Sequence, residues 1–112
     1  MQQSVLKLQE LGAPPEGYEG GKHFDKKVFR IWDGWLEAVA SIQKPVTWEE
    51  AEILIKCCPT DHMAGIEWTL LHCIESVYKP EEIGQYRTLI EQCNSDMMKR
   101  ELLRRLESKY KK

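Results

Sequence analysis

The sequence predicts an all-α fold, a single domain of four to five helices arranged as packed helical hairpins around a central buried helix at residues 61–78. Two stretches carry that expectation. In DHMAGIEWTLLHCIESVY (61–78), Met63, Ile66, Trp68, Leu70, Leu71, Cys73, Ile74, Val77 and Tyr78 cover most of a helix circumference, the pattern of a helix packed on more than one side. Between Phe24 and Ile42, the residues Phe24, Val28, Ile31, Trp32, Trp35, Val39 and Ile42 recur at helical spacing and make one apolar stripe. No segment reads convincingly as a strand.

The elements follow in order. Residues 1–11 hold Val5, Leu6, Leu8 and Leu11, too short and irregular a set to assign. GAPPEGYEGG (12–21) is a loop by its two prolines and four glycines, with Tyr18 as an anchor onto the core. These two pieces form an N-terminal segment, 1–22, ahead of a helical domain, 23–112. Gly34 is a weak point inside the first long helix, and its lack of a side chain suits close approach of a neighbour. Lys44-Pro45 ends that helix. Thr47-Trp48-Glu49-Glu50 opens the next as a capping box, in which the threonine oxygen takes a backbone N–H and the last glutamate reaches back. This helix runs to about Cys57, with Ala51, Leu54, Ile55 and Cys58 inward and Glu49, Glu52 and Lys56 outward. Pro59 then breaks the helical geometry, and Thr60 or Asp61 caps the central helix.

Beyond Tyr78, Pro80 suits a first helical turn, and Glu81 and Glu82 sit at the positive end of the helix dipole. Ile83, Tyr86, Leu89, Ile90 and Cys93 form the inner face of this helix. Asn94-Ser95-Asp96 breaks and recaps the chain. Met98, Leu102, Leu103, Leu106 and Tyr110 line a last helix whose other side is Lys99, Arg100, Arg104, Arg105 and Lys109. A faint internal echo sets Trp48-Glu49-Glu50 against Pro80-Glu81-Glu82, and Cys58 against Cys93, at offsets of 32 to 35 residues.

Composition bounds the class. At 112 residues the chain is one domain with one real core, and 42% apolar and 30% charged residues are ordinary for a globular protein. No window approaches the ~18 apolar residues that cross a bilayer, and MQQSVLKLQELG does not read as a signal peptide, so the expected location is the cytoplasm and no membrane partner is expected. The four cysteines include no C-x-x-C pair and read as small buried hydrophobes. Charge is unevenly spread: residues 33–82 carry three basic against ten acidic side chains, and residues 83–112 carry eight basic against four acidic. An acidic middle attracts a basic partner and repels nucleic acid.

Chemistry is sparse. Trp68, His72 and Glu75 share a face of the central helix, and a His–Glu pair in a cleft is a general-base arrangement. No nucleophile motif or phosphate-binding glycine loop accompanies it, and His62 and His72 stand ten residues apart, outside local metal-ligand spacing. A metal site joining His23, His62, His72 and Asp61 has nothing in the spacing to require it. The expectation is a protein with no enzymatic activity, metal or cofactor.

GIEWTLLHCIESV with the preceding LIKCCPTD resembles a pattern in small helical immunity proteins of bacterial polymorphic-toxin and contact-dependent-inhibition systems, over about residues 45–78. The resemblance implies a tight complex with a cognate toxin, often a nuclease and often basic. It transfers no binding residue position by position. The acidic section itself nominates Glu49, Glu52, Asp61, His62, Glu67 and Glu75 as outward partner-binding groups, with Trp48 as an aromatic anchor. The alternative is a small adaptor or regulatory domain that binds another protein or a nucleic acid through the basic last helix.

Overall fold

The computed structural model describes residues 1–18 and 26–110, and among them it contains six α-helices and no strand. They are α1 (Gln3–Leu11), α2 (Lys26–Ala40), α3 (Trp48–Leu54), α4 (Ile66–Glu75), α5 (Ile83–Glu91) and α6 (Asp96–Tyr110), with a 3-10 turn at Pro80–Glu82 leading into α5. The all-α class holds, and the count exceeds the expected four to five by α1. That helix is recognisable only from its packing: Val5 and Leu8 are fully buried, and α1 lies against both α2 and α3. The segment expected to stand ahead of the helical domain therefore shares its core. The expected beginning of the long helix at His23 and Phe24 lies outside the described residues.

Helix α4 packs against α2, α3 and α6, and of its ten residues only Thr69 and His72 are exposed. Leu70, Leu71 and Ile74 have 1% exposure or less. Burying each such side chain contributes about 1.5–3 kcal/mol. The helix is shorter than its apolar pattern predicts. It begins at Ile66 rather than Asp61, because Ala64 (φ 53°) and Gly65 (φ 90°) are in the left-handed region, which breaks a right-handed helix. Gly65, and neither Thr60 nor Asp61, occupies the N-cap position. Met63 is buried in the core from this preceding turn, and Val77 from the residues after the helix.

The capping box on α3 is present as expected, and it does more than cap. Thr47 Oγ1 accepts the Glu50 N–H at 3.1 Å, and Glu50 Oε1 accepts the Thr47 N–H at 3.0 Å. The other carboxylate oxygen accepts the Gln2 N–H at 3.0 Å, at the N-cap of α1. One buried side chain thus takes up orphan donors at the starts of two helices. Burial acts to raise the Glu50 pKa, but the donors from Gln2 and Thr47 outweigh it and hold the group below the ordinary carboxylate range. Gln2 continues the join: its Oε1 accepts the Gln43 N–H at 2.8 Å and its Nε2 donates to the Gln43 carbonyl at 3.1 Å.

The tryptophans of α2 reach across in the same way. Trp35 Nε1 donates to the Cys57 carbonyl at 3.3 Å, and Trp32 Nε1 to the Pro15 carbonyl at 2.7 Å. Tyr18 meets the edge of Trp32 with ring centroids 5.4 Å apart, so the loop is anchored by the residue expected to anchor it. At Gly34, facing α1, an added Cβ would stand 3.4 Å from Leu11 Cδ1, ordinary contact. Packing therefore tolerates a methyl group there.

Three substitutions test these contacts. Gly34→Ala raises stability by about 0.5–1 kcal/mol in urea denaturation, since helix propensity improves and nothing clashes; a loss of stability contradicts this reading of the α1–α2 contact. Glu50→Ala lowers stability by about 2 kcal/mol with an unchanged denaturant slope, because it leaves the Gln2 and Thr47 N–H groups without their acceptor. Glu49→Ala, one position away on the exposed side, stays within about 0.5 kcal/mol of the parent.

Candidate functional site

Helix α3 divides its residues by facing. Ala51 and Leu54 on the helix, and Ile55 and Cys58 just beyond it, have no exposure, while Glu49, Glu52 and Lys56 are exposed, as the helical period predicts. Glu49 and Glu52 border a groove of about 440 Å³ between the end of α1 and α3, together with Gln9, Gly12, Ile53 and Lys56. Trp48 opens α3 half-buried, and its Nε1 donates to Glu82 Oε2 at 3.0 Å. The indole therefore links α3 to the 3-10 turn, with part of the ring left exposed.

Asp61 and His62 are exposed in the turn before α4 and do not line the α1–α3 groove. Asp61 Oδ1 accepts the His62 N–H at 2.9 Å. Glu67 does not join them on the surface. It was expected to face outward and is instead 1% exposed, with Oε2 2.8 Å from His62 Nδ1 and Oε1 accepting the Met63 N–H at 3.1 Å. From the first turn of α4 its carboxylate reaches back and secures the left-handed turn at Ala64 and Gly65. Burial acts to raise its pKa, but the His62 ring and the backbone donors prevail and hold it below the ordinary range.

Glu75 is the second correction. Expected outward, it is 8% exposed and forms a bidentate pair with Arg105 of α6, Nε to Oε2 at 2.7 Å and Nη2 to Oε1 at 2.9 Å. His72 Nδ1 lies 3.4 Å from Glu75 Oε1, with the histidine half exposed. Tyr86 is buried beside this pair, and burial, reinforced by the nearby Glu75 charge, pushes its phenol well above the ordinary range. The His72–Glu75 pair thus belongs to a joint between α4 and α6. A carboxylate already occupied by a guanidinium is poorly placed to orient a catalytic base.

The basic last helix is tied to its surroundings as well. Lys99 Nζ is 3.5 Å from Glu91, Arg104 pairs with Glu101 one turn earlier, and Arg105 is taken by Glu75. Arg100 is exposed. Among the described residues no three His, Cys, Asp or Glu side chains gather as a metal-binding group, and no helix is long and apolar enough to cross a membrane. Comparisons with protein families, with curated proteins and with solved structures find no match for this chain.

Pattern reasoning missed Glu50 as a tie between helices, and it missed Arg105 as the partner of Glu75. The Arg105 contact joins positions thirty apart in the chain, so no local spacing announces it. Glu50 was placed correctly in its capping box, and its second oxygen found a use that only the tertiary arrangement supplies.

A group whose folded pKa is depressed adds stability above its unfolded pKa and loses it as pH falls through the folded value. Glu67→Gln is therefore expected to be less stable than the parent by about 1–2 kcal/mol at pH 7. The gap narrows as pH falls through and below the ordinary glutamate range, as the parent's carboxylate also protonates. Urea denaturation across that window checks it, and a gap independent of pH contradicts the assignment of Glu67 as an internal anion.

Proposed function

We propose that this chain is a non-enzymatic immunity protein that acts in the cytoplasm by binding and neutralising a cognate bacterial toxin domain, a basic nuclease, through the acidic face of α3. One observation carries the reading: Glu49 and Glu52 stand exposed beside a groove, while Glu50, Glu67 and Glu75 of the same acidic section are consumed inside the molecule. Acids that hold helices together serve the fold, and acids left in water beside a groove serve association. Ile53 gives that groove an apolar patch between the charges, and the half-exposed Trp48 ring at the head of α3 offers an aromatic contact. Asp61 and His62, exposed in the turn before α4, are the remaining contact candidates; Glu67 and Glu75 are withdrawn from the binding set.

The resemblance over residues 45–78 supports the toxin as the class of partner, and the charge supports a basic one. Negative side chains on a rigid scaffold steer a cationic partner and chiefly raise the association rate. The basic last helix offers a nucleic acid less. Three of its cations, Lys99, Arg104 and Arg105, are already paired with carboxylates of this chain.

The experiment takes the product of the neighbouring gene as the candidate toxin, with binding followed by stopped flow at several salt concentrations. Glu49→Lys with Glu52→Lys lowers the association rate about tenfold at low salt and flattens its salt dependence, with the thermal unfolding midpoint kept. An unchanged rate removes this face from the interface. Failure of the parent chain to bind or inhibit that toxin removes the immunity reading altogether.

A further inference from the structure

Helices α1 and α3 run side by side in the same direction. At their heads the Gln2 N–H donates to Glu50 Oε2 at 3.0 Å, and towards their feet Cys57 Sγ lies 3.4 Å from the Leu8 carbonyl. Each helix presents one edge to the groove between them. Glu49, Glu52, Ile53 and Lys56 line it from α3, and Gln9 from α1. Gln2, Leu6 and Gln9 follow one another at i, i+4 and i+7, on one side of a helix. Leu6 therefore stands on the groove edge of α1, between the residue tied to Glu50 and the residue that lines the groove. At 39% exposure it is one of three large apolar side chains left in water among the described residues.

The middle and the walls of this trough differ in chemistry. Leu6 and the half-buried Ile53 give it an apolar centre. Carboxylates stand on both sides: Glu10, one turn beyond Leu6 on α1, and Glu49 and Glu52 on α3, all exposed. Among the described residues that line the groove, Lys56 is the one cation, at the foot of α3. The edge from Gln2 to Gln9 is about 10 Å long at 1.5 Å per residue, which is two helical turns. We propose that the α1–α3 groove receives an amphipathic basic helix of the partner, at least two turns long, with its apolar side on Leu6 and Ile53 and its lysines or arginines against Glu10, Glu49 and Glu52. This rests on the reading of α3 as the docking face and adds what the partner presents there.

A helix laid along two others buries side chains that recur at i, i+3 or i+4, and i+7, and Leu6 and Ile53 meet such a row from either side. Cations flanking the row then face carboxylates on both walls, and Lys56 drives them towards the heads of α1 and α3. Both features of the occupant are needed. Cations without an apolar row leave Leu6 in water, and an apolar row without cations leaves the carboxylates unmatched. A second copy of this chain does not supply such a helix from α6, because Met98, Leu102 and Leu106 are buried in its own core and Lys99, Arg104 and Arg105 are paired. A nucleic acid strand is repelled by the same carboxylates.

The test is an amide NMR titration of the whole protein at low salt with the synthetic peptide acetyl-AKLAKKLAKLAKKLA-amide, whose leucines recur at helical spacing. The Leu6, Gln9, Ile53 and Lys56 amides shift saturably. The same peptide with glutamate for lysine, and one of the same composition with its leucines scattered round the helix, each bind at least about tenfold more weakly. Leu6→Asp weakens binding about tenfold with the thermal unfolding midpoint kept, and Asp33→Lys on α2 leaves it unchanged. The proposal is overturned if the parent shows no saturable shift, if the shifts fall outside the groove, or if either control peptide binds as well; the parent protein decides these points whether or not the variant folds. Groove amides that shift with protein concentration alone assign the groove to a second copy and overturn it too. The immunity reading is judged separately. A neighbouring gene product that binds and is inhibited while the groove amides stay unmoved keeps that reading and overturns this proposal, whereas one that does not bind removes that reading and leaves the peptide result to decide the groove.

Discussion

A carboxylate removed from water has to be met by donors, and the way this chain meets that demand decides its architecture. Glu50, Glu67 and Glu75 are all buried, and each is answered from another element: Glu50 by the start of α1, Glu67 by the turn ahead of α4, and Glu75 by a guanidinium on α6. An unmet buried charge would cost several kcal/mol, so each answered one fixes its neighbours with little latitude. No buried side-chain nitrogen or oxygen among the described residues lacks a hydrogen-bond partner. The polar interior is therefore a set of directional ties laid over an apolar core of Leu, Ile, Trp and Met.

Those ties sort the acidic middle of the sequence into two populations. The interior acids join helices and are unavailable to a partner. The acids left in water include Glu49 and Glu52 on one side of α3 and Asp61 in the following turn, along with Asp33 and Glu37 of α2 and Glu81 of the 3-10 turn. Net charge along the chain does not distinguish the two, since a carboxylate counts equally in either place. Facing and donor supply distinguish them, and on α3 a single residue step separates Glu49 in solvent from Glu50 in the core.

Legibility follows the range of the interactions. The Thr47–Glu50 capping box, the inward set of α3 and the apolar stripe of α2 are local or periodic, and the sequence carries them openly. Helix α1 is legible only in part, because nine residues with two fully buried side chains make too short a pattern to separate from chance. The late start of α4 was hidden by apolar residues continuing through the preceding turn: Met63 is buried from a non-helical position, and Ala64 gives no warning of its left-handed backbone. Glu75–Arg105 and Cys58–Asn94 join positions 30 and more apart, and their partners could not be chosen from many equally suitable side chains.

The central claim is that the acids of this protein are divided between interior anchors and an exposed face, and carbon-13 NMR of the glutamate side-chain carboxyls observes that division directly. Titrated from neutral to acid pH, the Glu50 and Glu67 carboxyls are predicted to protonate below the ordinary glutamate value of about 4.3, with Glu50 reporting through the Gln2 and Thr47 amides and Glu67 through the Met63 amide. Protonation of both at or above that value, with those amides indifferent to it, would contradict the account.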